Sequence, residues 1–171
     1  MEENMLIYPN SYFKSVDKIT TDFLKKNKIK ALILDVDNTL IDYYKNISIQ
    51  VKQWVRNLKE DGIKLYILSN TNHKEKVEKV AKILDLPYQM FAKKPSKSGF
   101  LSVQNQLKEK NENIGVVGDQ IFTDIIGGNR CKMYTILVDP VTSKDYWYTA
   151  WKRPIENVIK NRYIEKQKKE K

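Results

Sequence analysis

The chain has 171 residues, of which 31 are Lys or Arg and 21 are Asp or Glu, giving a formal net charge of +10. Hydrophobic residues at 41% and charged residues at 30% belong to a folded, water-soluble chain and exclude the disordered class. A single Cys, Cys131, excludes an internal disulfide and any cysteine-based zinc site, so a reducing cytosol is the expected compartment. No run approaches the roughly 18 apolar residues of a spanning helix, and Met1-Glu2-Glu3-Asn4 lacks the apolar core of a signal peptide.

In chain order, residues 1–29 read as an N-terminal extension: an extended stretch over 6–12, then a weak helix carrying Val16, Ile19 and Phe23. Ala31-Leu32-Ile33-Leu34 is a continuous branched run, repeated in kind at 63–68, 114–117 and 134–138, with a shorter one at 88–92. Such runs suit strands buried on both faces of a parallel sheet. Between them Val51, Trp54, Val55 and Leu58 recur at the spacing of one helix face, and Val77, Val80, Ala81 and Leu84 repeat it. Asn72 with Glu75 has the spacing of a cap and its capping-box partner, and Ser96 is placed to cap a helix carrying Phe100, Val103 and Leu107. Pro154 suits the first turn of a final helix with Ile155, Val158 and Ile159 facing inward. Alternating strands and helices predict an α/β three-layer fold around a mainly parallel sheet. One domain covers 1–171: the extension 1–29, a core 30–140 and a basic helical extension 141–171.

The strand ends carry the chemistry. Asp35-Val36-Asp37-Asn38-Thr39-Leu40 follows the first buried run, where open α/β sheets place their ligands. A calcium loop would need Gly and Glu where Leu40 and Asn46 stand, so that reading fails. The next strand ends in Ser69-Asn70, Lys94-Pro95 follows the short run, and 114–117 leads into Gly118-Asp119 with Asp124 five residues on. Acid pair, hydroxyl, cation and acid pair in that order can bind a divalent metal through hard oxygens and a phosphate through Lys94. His73 reads as a helix-start residue, with substrate contact as the alternative, and Cys131 as a small buried side chain.

These segments resemble the four motifs of the haloacid dehalogenase phosphohydrolase superfamily. With Tyr8-Pro9-Asn10, Ser15-Val16, Gly127-Gly128-Asn129-Arg130 and Thr135-Ile136-Leu137-Val138, they resemble the YqeG-type subclass IIIA phosphatases, relatives of the mitochondrial phosphatidylglycerophosphate phosphatases. The resemblance implies a Rossmann-like core and a Mg²⁺-dependent phosphomonoesterase. Asp35 would be the nucleophile that forms an aspartyl-phosphate and Asp37 the general acid and base, with Ser69 and Lys94 on the phosphoryl oxygens. The metal would take Asp35, the Asp37 carbonyl and Asp119, with Asp124 completing the acidic metal cluster through a metal-bound water or by orienting Lys94. Thr39, Asn70 and Arg130 are substrate-binding candidates, the first two also shaping their loops. Neither the 40–63 nor the 71–92 interval has room for an inserted cap domain. The expected site is therefore open, which suits a phosphate on a larger body such as a lipid head group. A phosphoprotein, sugar phosphate or nucleotide substrate is the alternative, and a binding protein with a vestigial site is a third reading.

From residue 152 to 171 there are eight Lys or Arg against three Glu, preceded by Trp147, Tyr148 and Trp151. A solvated helix end accounts for this, and so does peripheral contact with an anionic membrane. No zinc-finger, helix-turn-helix or RNA-binding aromatic pattern accompanies the charge, so no nucleic-acid partner is expected.

Overall fold

The computed structural model describes residues 6–145 and 147–170, with Tyr148 described by its backbone alone. Met1-Glu2-Glu3-Asn4, the Tyr148 side chain and Lys171, all used above, lie outside the described residues.

Six strands form one all-parallel sheet: β1 (Ser11–Phe13), β2 (Ala31–Leu34), β3 (Lys64–Leu68), β4 (Tyr88–Gln89), β5 (Ile114–Gly118) and β6 (Tyr134–Val138), in the order β1-β6-β5-β2-β3-β4. The helices are α1 (Thr21–Lys26), α2 (Ile49–Glu60), α3 (Lys74–Leu84), α4 (Lys97–Leu107), α5 (Ile126–Arg130), α6 (Trp147–Ala150) and α7 (Arg153–Lys169). A π-helical turn, Ile121–Ile125, leads into α5.

Successive side chains of β2 point to opposite faces and build two separate cores. Leu32 and Leu34 join Val51, Trp54, Val55 and Leu58 of α2 and Val77, Val80 and Leu84 of α3. Ala31 and Ile33 join Phe100, Val103 and Leu107 of α4 with Cys131 and Met133. Fully burying each Val, Leu, Ile, Phe or Met side chain among these stabilises the fold by about 1.5–3 kcal/mol, which is why continuous apolar runs belong to the central strands. Gly127 and Gly128 sit where α5 presses on this second core. A Cβ at Gly127 would lie 2.3 Å from the Phe100 ring, and one at Gly128 would lie 2.6 Å from the Thr135 methyl.

The chain runs outward from β2 through β3 to β4, then returns to place β5 on the other side of β2. That reversal puts the carboxyl ends of β2 and β5 side by side at a topological switch point, the usual ligand crevice of an open α/β sheet.

The differences from expectation lie at the periphery. Within 6–12 only Ser11 and Tyr12 enter a strand, paired parallel with β6, while Leu6 and Ile7 are helical. The expected helix at 16–23 is a 3₁₀ turn, Val16–Lys18, followed by α1, whose start is capped by the Thr20 hydroxyl accepting from Phe23 N at 3.2 Å. Helix α3 is preceded by His73 without a side-chain cap, so Asn72 and Glu75 form no capping box. Instead the Thr71 hydroxyl accepts from the His73 amide at 3.2 Å. Helix α7 docks through Glu156, Ile159 and Tyr163, leaving Ile155 and Val158 about half exposed. Polar anchors decide this: Tyr163 donates to the Asn10 carbonyl at 3.1 Å, and Lys160 pairs with Asp139 at 2.8 Å.

Candidate active site

The backbone segments that follow β2, β3, β4 and β5 converge on a cleft of about 620 Å³ lined by Asp35, Asp37, Ser69, Asn70, Lys94 and Gln120, among others. At its floor Lys94, 3% exposed in its side chain, donates to Asp35 Oδ1 at 2.8 Å and Asp124 Oδ1 at 2.7 Å. Its third contact is the Leu68 carbonyl at 3.0 Å, so all three ammonium protons have acceptors. The Thr39 hydroxyl lies 3.3 Å from Asp35 Oδ2 and 3.2 Å from Asp119 Oδ1, bridging the two acidic loops.

Local backbone features put these groups in place. Gly118 is required because a Cβ there would lie 2.2 Å from the Asp124 carboxylate, which folds back over the end of β5. Asn38, directly after Asp37, takes the left-handed conformation at φ 56°, which Asn tolerates better than most residues. Asn70 clamps the backbone of Lys94 from both sides, accepting from its amide at 2.7 Å and donating to its carbonyl at 3.1 Å. Ser69 is buried, and its hydroxyl accepts from Thr71 N at 3.2 Å, shaping the loop above β3.

Asp35, Asp119 and Asp124 each offer a carboxylate oxygen, all within 4.8 Å of one another. With the Lys94 ammonium, the group carries a formal surplus of two negative charges. Burial and this mutual repulsion push Asp119 well above the ordinary carboxylate range against the pull of Arg153. Burial likewise pushes Asp124 up to about 7 against the pull of Lys94, with Asp35 adding to the rise. Burial alone would lower Lys94, but the Asp124 and Asp35 carboxylates outweigh it and hold the ammonium above the ordinary lysine range. A hard-oxygen cluster with a surplus of two negative charges fits a divalent cation.

Asp37 stands apart from that cluster. Both of its oxygens accept from Lys76 of α3, at 2.6 and 2.8 Å, and the Lys76 side chain is only 5% exposed. Burial raises the Asp37 pKa, the Lys76 ion pair opposes the rise and Asp35 adds to it. The site thus holds two carboxylates, two residues apart, with different cationic partners and different surroundings.

Of the residues read from sequence, Asp35, Asp37, Ser69, Asn70 and Lys94 line the cleft. Thr39, Asp119 and Asp124 are buried and tied to it by the Thr39 bonds to Asp35 and Asp119 and the Lys94 bond to Asp124. Arg130 does not line it: it is exposed at the end of α5 and donates to the Pro95 carbonyl at 3.1 Å, bracing the Lys94-Pro95 loop. His73 lies both at the start of α3 and on the cleft wall. Lys76, Asp145 and Arg153 went unrecognised in the sequence. Lys76 sits in Lys74-Glu75-Lys76-Val77-Glu78-Lys79, where nothing separates it from solvated helical lysines. Arg153 reads there as one more charge of a basic tail, yet its guanidinium reaches Asp119.

Comparison with known proteins gives a family match and matches in fold. The family model for mitochondrial PGP phosphatase matches residues 1–142. A curated relative, the probable phosphatase YqeG of Bacillus subtilis, is 36% identical over 152 residues, covering 88% of this chain and 88% of that protein. An uncharacterized protein from Listeria monocytogenes serotype 4b superposes with a TM-score of 0.56 at 20% identity, over 69% of this chain and 85% of its own. The cobalt-bound deoxy-D-mannose-octulosonate 8-phosphate phosphatase of Haemophilus influenzae also gives 0.56, at 15% identity, over 81% of this chain and 91% of its own. At those identities the two solved structures speak for the fold alone.

Proposed function

Because the chain belongs to the mitochondrial PGP phosphatase family and is a phosphatase of the haloacid dehalogenase type, we propose that it hydrolyses a phosphomonoester with Mg²⁺ through an aspartyl-phosphate on Asp35. The observation that carries this reading is the Asp35 carboxylate on the cleft floor. It is held by Lys94 and Thr39, with two further carboxylates within 4.8 Å and Asp37 beside it.

Asp35, Asp119 and Asp124, with the Asp37 carbonyl, would hold the cation, which when bound offsets charge on the phosphoryl group and the acids around it. In the first step an Asp35 oxygen forms a bond to phosphorus as the bond to the leaving oxygen breaks, and Asp37 gives that oxygen its proton. In the second, Asp37 takes a proton from water as its oxygen attacks phosphorus and the Asp35–phosphorus bond breaks, releasing inorganic phosphate. Ser69 and Lys94 hold phosphoryl oxygens where negative charge concentrates. Lys76 holds Asp37 at the cleft wall, so the proton donor stays aimed at the leaving group without entering the cation site. Chelation should abolish turnover of p-nitrophenyl phosphate and Mg²⁺ should restore it, while Asp119→Ala should raise the Mg²⁺ requirement by orders of magnitude. Wild-type turnover in excess chelator would refute the metal role.

The substrate we propose is a phosphatidylglycerophosphate-type lipid. Support comes from the family and from the rim of the cleft, where Thr149 and Lys152 line the opening. Near them in the chain Trp147 is 85% exposed, Trp151 65%, Ile155 50% and Val158 51%, four exposed apolar side chains that precede the basic C-terminal turns. Among the described residues no helix is long and apolar enough to cross a membrane, so contact with a bilayer would be peripheral. Each basic residue near an anionic surface contributes about 1 kcal/mol, so a few of them give a weak, salt-sensitive attachment. Co-sedimentation of the full chain with anionic vesicles should exceed that with neutral ones and should fall in a Trp147→Ser, Trp151→Ser double variant. Equal sedimentation in all arms, with soluble sugar phosphates hydrolysed better than the lipid, would return the reading to a soluble substrate.

A further inference from the structure

The family model ends at residue 142, yet the acidic cluster is gripped from beyond that point. Arg153, in the first turn of α7, donates through Nη1 to the Asp119 carbonyl at 2.8 Å and through Nη2 to the Asp119 carboxylate. The same guanidinium forms a fork on Asp145, Nε and Nη2 each at 2.8 Å from a carboxylate oxygen. Its side chain is 13% exposed, against 0% for Asp119 and 10% for Asp145. Neither partner is isolated. Asp145 Oδ1 also accepts from Asn38 at 3.2 Å, in the loop that carries Asp35 and Asp37. Asn38 in turn accepts from Val141 N at 3.0 Å and from the Thr142 hydroxyl at 2.9 Å. Glu156, 4% exposed, accepts from Phe122 N at 3.0 Å, at the start of the π turn that carries Asp124. Asp145, Arg153 and Glu156 thus brace the acidic loop after β2, the carboxylate that follows β5, and the turn that carries Asp124.

Resting on the metal reading proposed above, we infer that the start of α7 is a working part of the cation site, with Arg153 as the positioning residue of Asp119. A planar fork suits this task because its five donors sit in a fixed plane. One guanidinium thus makes two bonds to Asp119 and a two-point fork on Asp145, four bonds where an ammonium has only three protons. Its grip on one side of Asp119 leaves Oδ1 facing the Thr39 hydroxyl and the rest of the cluster. Asp145 and Glu156 together outweigh the Arg153 charge, so the clamp does not erase the negative surplus that attracts a cation. Charge and position therefore make opposite predictions. If Arg153 acted only as a competing positive charge, its removal would tighten cation binding; if it positions Asp119, its removal weakens binding. A merely structural tail would change thermal stability and leave cation affinity alone.

Binding of Mn²⁺ to the full chain, followed by loss of the free-ion paramagnetic resonance signal, separates these cases, with circular dichroism confirming that each variant is folded. Removing an outer partner of a metal-binding carboxylate typically costs about 10–100-fold in metal affinity, and we expect that range for Arg153→Lys and Arg153→Gln. Asp145→Asn, which keeps shape and disturbs the fold least, should show the same direction. Folded Arg153→Lys and Asp145→Asn proteins with wild-type Mn²⁺ affinity, or an Arg153→Gln protein that binds more tightly, would overturn the positioning role. A wild-type chain that binds no Mn²⁺ would instead overturn the metal reading itself, and this inference with it.

Discussion

Replacing Asp35 with Asn should lower phosphatase turnover by roughly 10⁴-fold or more, the scale on which removal of a catalytic nucleophile acts, while the chain stays folded. The amide keeps the size of the carboxylate and one oxygen able to accept a hydrogen bond. Lys94 retains Asp124 at 2.7 Å and the Leu68 carbonyl at 3.0 Å, so it is not stranded. The substitution also removes a charge that pushes up Asp37, Asp119 and Asp124 alike, which relieves repulsion in the cluster. Loss of function with an unchanged or slightly raised thermal midpoint is therefore the expected pair of results. Unchanged turnover would sink the covalent mechanism. Asp37→Asn gives the complementary outcome, because an amide cannot take the proton of the attacking water. Acid-quenched protein should then carry one phosphoryl group on Asp35, read by intact mass, and its absence would count against the role given to Asp37.

Legibility in the sequence followed the range of the interactions involved. Strand β2 and its acidic loop were readable because burial on both faces writes an unbroken apolar run, and strand ends in such sheets are where ligands bind. The hydroxyl and Asp119 were readable because each directly follows a strand. Lys94 stands five residues past β4, which is only Tyr88–Gln89, and was readable because the apolar run 88–92 extends beyond the strand itself. Lys76 and Arg153 were not, because their partners lie 39 and 34 residues away and helical periodicity records only whether a face is buried, not by which pairing. The same ambiguity misplaced the face of α7. Ile155, Val158 and Ile159 share helical spacing, but so do Glu156, Ile159 and Tyr163, and buried pairing of Glu156 with Phe122 N and Arg153 chose the second set.

Lys94→Met should cost both stability and activity, because the ammonium it removes is the counter-charge of two buried acids. Asp35 and Asp124 are 12% and 2% exposed in their side chains, and Lys94 is 3% exposed. Breaking a buried ion pair from one side typically costs about 3–5 kcal/mol, a large part of the roughly 5–15 kcal/mol that holds a domain folded. The deficit should depend on pH in metal-free protein, with a definite sign. Burial already raises Asp124 to about 7 even with Lys94 pulling it down, and the Met variant loses that pull. A carboxyl whose folded pKa lies above its unfolded value contributes stability at low pH and loses it as pH rises through the folded pKa. Near pH 5 Asp124 keeps its proton in both proteins, so it adds little to the variant's deficit, which should be smaller there than above neutrality. Above neutrality the wild-type carboxylate ionises against Lys94, whereas the variant must either hold the proton or bury an uncompensated charge, so the deficit should widen. Urea unfolding at pH 5 and pH 8 measures this directly. A deficit that is equal at both pH values, or larger at pH 5, would show that Lys94 is not the counter-charge of Asp124. Turnover should fall by about 10²–10³-fold at any pH, the usual consequence of losing one preorganised group that stabilises transition-state charge. Full activity in a folded Lys94→Met protein would remove Lys94 from the phosphoryl-binding role.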